Sequence, residues 1–301
     1  MRINHNISAL QTNAHMRRTD NALDKAMERL SSGFKINKAS DDAAGMAISR
    51  KMKTQIAGLE RSSMNCSDGI SVIQTAEGAL NEVSSILQRC RELAVQSAND
   101  TYSDDDRAAV QLEIDQLMEE IQRISDTTEF NTKTLLDGNL EGEGILVLQV
   151  GANEDQTMEV EIPRIDPETL GLLEDPNDPK SYIKVSDHDK ADQAISLFDN
   201  AIRMVSETRA QLGAYQNRLE HTVENLDTAS YNMTEAVSRI EDADMAEQMT
   251  VFTQQNVLQQ AGTSMLAQAN ERPQTILSIY ICWNTKPILW RRSPVSCFVF
   301  I

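Results

Sequence analysis

Aromatic side chains are scarce in this chain: two Trp, five Tyr and six Phe among 301 residues, or 4%. Aromatics bury more area per residue than other side chains, so a core built without them has to come from aliphatic residues arrayed along regular elements. Basic residues are also short, 28 against 46 acidic, for a formal charge of −18. That balance excludes a nucleic-acid partner held by phosphate neutralisation, and it disfavours an anionic membrane surface on the same ground. No run approaches the roughly 18 uninterrupted apolar residues of a membrane-spanning helix. The length allows about two domains of roughly 100–200 residues each.

Cysteine is equally sparse. Cys66, Cys90, Cys282 and Cys297 show no CxxC spacing and no His-rich neighbour, so neither a zinc site nor a disulfide framework is signalled. If Cys66 and Cys90 share one helix they lie about 36 Å apart, beyond any bridge. Both read as buried, inert thiols. The opening MRINHNISALQTNAHMRR lacks the apolar core of a secretory signal, so any export takes another route. None of the seven prolines precedes Pro163; four fall in 163–179 and the rest are Pro273, Pro287 and Pro294. Residues 1–162 and 180–272 are thus proline-free, as long helices require.

What is present is a heptad pattern. Cys66, Gly69, Ile73, Ala76, Leu80, Val83, Leu87, Cys90 and Ala94 alternate in steps of three and four, the seam of a coiled-coil-like helix. Asn99 and Asp100 break it. Ser103 followed by Asp104, Asp105 and Asp106 restarts a helix with a capping hydroxyl and acids at the positive dipole end. Val110, Ile114, Leu117, Ile121 and Ile124 continue that spacing, and a third seam runs from Ala194 through Phe198, Ala201, Val205, Leu212 and Leu219 to Met233. Between them, glycines gather at 138–151, and alternation in Ile145, Val147, Gln149 and then Met158, Val160, Ile162 reads as a short β-hairpin. The fold class is mostly α: an elongated antiparallel helical bundle or coiled coil with a small β-hairpin region.

The two ends carry thinner stripes. Ile3, Ile7, Leu10, Ala14, Leu23, Met27 and Leu30 mark a helix closed by Gly33, and Val251, Leu258, Met265 and Ala269 mark another among many glutamines. Such stripes are too weak to hold a lone helix in water. These segments gain order by pairing with each other or with further copies of the chain.

A search for catalytic groups comes back empty. His5, His15, His188 and His221 are isolated, and HExxH, GxGxxG, GxSxG and GxxxxGK[ST] are missing. The Asp104–Asp106 run is explained by its helix start, and pairs such as Glu119–Glu120 and Asp41–Asp42 by solvated faces. The chain reads as a non-enzyme with no cofactor and no metal site.

Several segments resemble bacterial flagellin: LSSGFKINKASDDAAGMAIS (30–49), NCSDGISVIQTAEGALNEVSSILQRCRELAVQSAND (65–100), FNTKTLLDG (130–138), LQVGANEDQT (148–157) and SRIEDADMAEQMTVFTQQNVLQQAGTSMLAQANERPQTILS (238–278). The resemblance covers about 1–160 and 190–278, with the motifs in family order and without large variable outer domains. It implies a structural subunit that polymerises into the flagellar filament for swimming motility. Residues 1–40 and 240–279 would pair as an innermost filament-core layer. Residues 41–190 would form rod-domain helices and the β-hairpin region, and 191–239 the C-terminal rod helix. Implied partners are other copies of the chain, an export chaperone, the filament cap and the hook-filament junction proteins. The implied location is extracellular, in the flagellum, after export through the flagellar secretion channel without a cleaved signal peptide. The family's patch for the host receptor Toll-like receptor 5 carries over to Arg89 and Leu93, in QRCRELAVQ, and to Glu113 on the following helix. Leu93 has a second reading, as a residue that packs against a neighbouring subunit.

Two other functions share parts of the pattern, a hook-filament junction protein and a coiled-coil holdase chaperone; RELAVQSAND and SRIEDADMAE favour flagellin. The stretch 280–301 departs from the family. It holds both tryptophans, two of the four cysteines and three basic residues with no acid, leaving 25 basic against 46 acidic residues before it. Its expected origin is a frameshift or readthrough, with a functional extension as the alternative, and it is expected to hinder polymerisation.

Overall fold

A computed structural model describes residues 6–140, 144–174 and 181–284. Five helices account for most of them: α1 (Ile7–Ser32), α2 (Ala43–Ser97), α3 (Asp104–Thr127), α4 (His188–Glu241) and α5 (Met245–Asn284). Four short strands form two separate antiparallel pairs, β1 (Glu129–Phe130) with β2 (Lys133–Thr134) and β3 (Leu146–Gln149) with β4 (Thr157–Val160). The chain divides into two compact units, residues 52–235 and the combination of 1–51 with 236–301.

The unit 52–235 holds the main core. All nine seam residues of α2 from Cys66 to Ala94 are buried, and they meet Ile114, Met118 and Ile121 of α3 and Ala194, Phe198, Ala201, Val205, Leu212 and Leu219 of α4 in one cluster. The seam of α4 thins toward its C-terminal side, where Ala229 and Met233 are only half-buried. Polar pairs along the helices give their direction. Ser63 bonds Asp227, Glu77 pairs with Arg209, and Arg91 pairs with Asp199, so α2 and α4 run antiparallel.

The start of α3 has a local cause. Ser103 caps α3 through a capping box: its hydroxyl accepts from the Asp106 N–H while the Asp106 carboxylate accepts from the Ser103 N–H. The carboxyl of Asp106 is held below its usual range by these hydrogen bonds from Ser103. The turn between α2 and α3 falls at 98–103, around the expected break. After β4, Ser97 Oγ donates to the Val185 carbonyl (2.7 Å), and Gln111 accepts from Val185 N–H (2.7 Å) and donates to the Ile183 carbonyl (3.1 Å). Two helical side chains thus supply the partners that a neighbouring strand would otherwise give this extended segment.

The hairpin differs from expectation in one strand. Met158 and Val160 face inward as the alternation in β4 suggested, and Ile162 beyond it is buried too. In β3, however, the register pairs Leu146 with Val160 and Leu148 with Met158. That turns Leu146 and Leu148 inward and leaves Val147 exposed. A one-residue shift of register swaps the faces of a strand. The hairpin lies on α2 at two glycines: a Cβ on Gly58 would stand 2.8 Å from Ala152 Cβ, and one on Gly69 2.5 Å from Leu148 Cδ1.

In the other unit α1 and α5 run antiparallel, joined by Asn6 Nδ2 to the Ala269 carbonyl (2.7 Å) and Gln259 Nε2 to Asp20 Oδ1 (3.0 Å). Gly33 closes α1 in the left-handed region at φ 77°, its N–H on the Arg29 carbonyl, as the sequence suggested. The strand-like segment after it is tied to 241–243 by Lys35 N–H to the Glu241 carbonyl and Ala243 N–H to the Gly33 carbonyl. α5 passes through Pro273 without ending. It also runs unbroken through 280–284, so the composition change at 280 is no helix boundary. Residues 285–301, the greater part of the atypical tail with Cys297, lie outside the described residues, as do His5 and the side chain of Cys282.

Charge is unevenly shared. Residues 52–235 contain 36 acidic and 14 basic side chains, whereas 1–51 and 236–301 together contain 10 acidic and 14 basic. The whole acidic surplus of the chain belongs to one unit.

Candidate interaction surfaces

A short connection lays α3 back along α2, and this brings two of the three residues singled out for receptor recognition into contact. Arg89 of α2 donates to Glu113 of α3 through Nε (3.0 Å) and Nη2 (2.8 Å) on one carboxylate oxygen, and through Nη1 to Glu92 (3.5 Å). The two side chains are 50% and 46% exposed. An ion pair that open to water contributes little to stability, so its place in the structure is a charged feature on the surface rather than a brace. Leu93 sits one turn further along α2 and turns the other way. It is 2% exposed, in the core cluster with Cys90 and Ala94. The exposed apolar side chains nearby in sequence are Val95 and Leu112, which heptad counting passes over because they fall outside the seam.

Cys66 and Cys90 are free and buried, as their seam positions suggested. Burial pushes the Cys90 thiol up to about 12, with the Glu113 carboxylate adding to the effect, and burial raises the Cys66 thiol as well. Neither has thiolate character at neutral pH. Of the other titratable groups singled out in the sequence, His188 bonds the Ala98 carbonyl through Nδ1 (2.6 Å), His221 lies beside Glu224 on the surface, and Asp104–Asp106 open α3. Among the described residues no three His, Cys, Asp or Glu side chains gather as they would around a metal ion. No described helix is long and apolar enough to cross a membrane.

The larger surface is on the α1/α5 pair. α1 buries a single residue, Ala26, and α5 buries Gln248 and Ala269. Ile7 and Leu10 of α1 and Met249, Val257, Leu258 and Met265 of α5 stand exposed, Ile7 at 69%. Between the helices runs an open groove of about 530 Å³ lined by Thr12, His15, Met16, Leu258 and Met265 among others. Contiguous apolar surface of this kind marks an interface. Periodicity missed Asn6, which caps α1 and donates to the Ala269 carbonyl, and the signal available for it was Pro273, four residues after Ala269 on a helical pattern.

Comparison with known proteins agrees with this geometry. A family model described as the bacterial flagellin N-terminal helical region matches residues 3–141, and one described as the bacterial flagellin C-terminal helical region matches 195–280. The chain is 51% identical over 279 residues to a flagellin of Halalkalibacterium halodurans and 47% identical over 302 to a flagellin of Bacillus subtilis. Each comparison covers 93% of this chain and 99% of the relative. Among solved structures, a putative flagellar hook-associated protein from Vibrio parahaemolyticus shares the fold with a TM-score of 0.55 at 13% identity, over 67% of this chain and all of that one.

Proposed function

The chain belongs to the bacterial flagellin family, and from that premise we propose how its surfaces serve the flagellar filament. It is a structural subunit of that extracellular filament, and its output is swimming motility. The observation that carries the mechanism is the α1/α5 pair. Among the described residues, two helices of 26 and 40 residues bury only three side chains and leave much of their apolar stripes exposed, Ile7, Leu10, Leu258 and Met265 among them. A single pair of this kind is marginal in water, and further copies packed against it supply the missing burial. Contacts of one copy with the next that do not close on themselves build a filament. In this reading 1–40 and 240–279 form the innermost layer and 41–239 the surrounding rod domain. The chain travels through the flagellar secretion channel before its ends are ordered, and is handled by an export chaperone, the filament cap and the junction proteins.

Seeding tests this directly. Purified full-length chain mixed with sheared filament fragments is expected to elongate them, and its α1 and α5 amides, fast to exchange in the monomer, are expected to become protected in the polymer. Light scattering that stays flat with seeds present would count against the reading. A holdase would leave seeds unextended while suppressing client aggregation. A junction protein would be distinguished by a deletion strain that sheds whole filaments rather than lacking them.

A second surface is proposed at Arg89 and Glu113 for Toll-like receptor 5. The exposed guanidinium–carboxylate pair supports it, and Leu93, the third residue of the patch, is enclosed one turn away. Arg89→Ala is expected to weaken reporter-cell signalling by monomer at least tenfold while helicity is unchanged, as for an arginine anchoring an interface. Equal signalling from variant and parent would remove the assignment.

A further inference from the structure

We propose that Asn6 sets the register of the α1/α5 pair by answering the one carbonyl that Pro273 leaves without a helical partner. Proline has no N–H, so the Ala269 carbonyl four residues back loses its bond within α5. Ala269 is buried, and a buried backbone acceptor left unanswered disfavours a state by about tenfold or more. Asn6 Nδ2 reaches that oxygen at 2.7 Å across 263 residues of sequence. Its Oδ1 meanwhile accepts from the Ala9 N–H (3.2 Å) and the Ser8 hydroxyl (2.7 Å), which makes Asn6 the N-cap of α1. Asp or Ser would cap as well, but Asp has no donor and the hydroxyl of Ser is too short. Asparagine combines a cap acceptor with a donor long enough to cross to the neighbouring helix.

The register needs such a device. With Ala26 the only buried residue of α1, apolar packing distinguishes poorly between the observed alignment and one slipped by a heptad. Polar ties stand where the packing is weak. Asn6 meets Ala269, Asp20 meets Gln259, and Phe34 bridges to Asp242, the three on the N-terminal side following one another at intervals of 14 residues. The first two ties join the paired helices themselves, and the third joins the extended segment just after α1 to the link just before α5. A single polar position is known to fix alignment in coiled coils at some expense in stability. Here the position is tied to a proline, so the two residues act as a unit.

A double-mutant cycle on the full chain tests the coupling. Asn6→Ser keeps a capping side chain but loses the reach, and Pro273→Ala restores a backbone N–H to the Ala269 carbonyl. Asn6→Ser is expected to raise the critical concentration for seeded filament growth about tenfold in the parent and less than about twofold alongside Pro273→Ala. The same loss in both backgrounds would overturn the proposal. A parent that forms no filament at all would instead count against the filament function. Should Pro273→Ala chains fail to assemble, crosslinking decides. Met16 lies 4.0 Å from the position a Gly262 Cβ would take, so Met16→Cys with Gly262→Cys reports the observed register and Met16→Cys with Gln255→Cys a one-heptad slip. With Cys282 and Cys297 changed to Ser, Asn6→Ser is expected to move crosslinking from the first pair to the second. Yields unchanged at both pairs would overturn the proposal.

Discussion

Leu93 and Arg89 lie one turn apart on α2 with opposite surroundings, and a substitution at each reads out a different quantity. Leu93 is enclosed by the core cluster, so Leu93→Ala is expected to cost about 2–5 kcal/mol in urea unfolding followed by circular dichroism, the range for a leucine cavity. Arg89→Ala removes an exposed pair and is expected to leave the unfolding midpoint almost unchanged. Similar losses at the two sites would contradict the placement of Leu93. Cys90 gives a second residue-scale test. With its thiol pushed up to about 12 by burial, alkylation of Cys90 in the folded chain at pH 7.5 is expected to run at least a thousandfold slower than in urea, with Cys66 also slowed. Peptide mapping of labelled protein checks both, and rapid native labelling at either would mean the seam opens.

At the scale of elements, α2, α3 and α4 were legible because their seams repeat over many turns, and a long run of threes and fours has one phase. Gly33 and Ser103 were legible because the chemistry of a helix end is local: a positive φ in one case, a hydroxyl beside free N–H groups in the other. The face of β3 was not. Ile145 and Val147 form one apolar phase and Leu146 and Leu148 another, so alternation alone cannot choose between them. The pairing with β4 and the notch at Gly69 beside Leu148 make the choice, and both are tertiary facts. The same limit hid the turn on Arg89's own helix that sends Leu93 inward, and the Asn6–Ala269 bond between ends of the chain. Gly58 tests the docking of the hairpin. A valine there would collide with Ala152 at the turn after β3, where a Cβ already comes to 2.8 Å. Gly58→Val is expected to destabilise the unit 52–235 by about 1–3 kcal/mol, as overpacking does, and to speed proteolysis in 150–156. A variant as resistant as the parent would show that the hairpin does not need that slot.

At the scale of the whole molecule, the charge division decides how copies meet. Each copy brings to the polymer a unit with 36 acids against 14 bases, while the unit that carries the exposed apolar helices is mildly basic. Self-repulsion between acidic units opposes close packing and is weakened by salt. Raising NaCl from about 50 to 300 mM is expected to lower the critical concentration for growth several-fold, measured by sedimentation of seeded samples. A critical concentration that rises with salt would mean that attraction between opposite charges, and not apolar burial, drives assembly. The same division bears on what happens after assembly. Where the acidic units face solvent, every filament wears a sheath of fixed negative charge with its own counter-ions, and two filaments brought alongside must compress those sheaths. Such polymers stay colloidally separate while remaining cohesive along their length, and multivalent cations able to bridge carboxylates would gather them into bundles without adding a subunit to any of them.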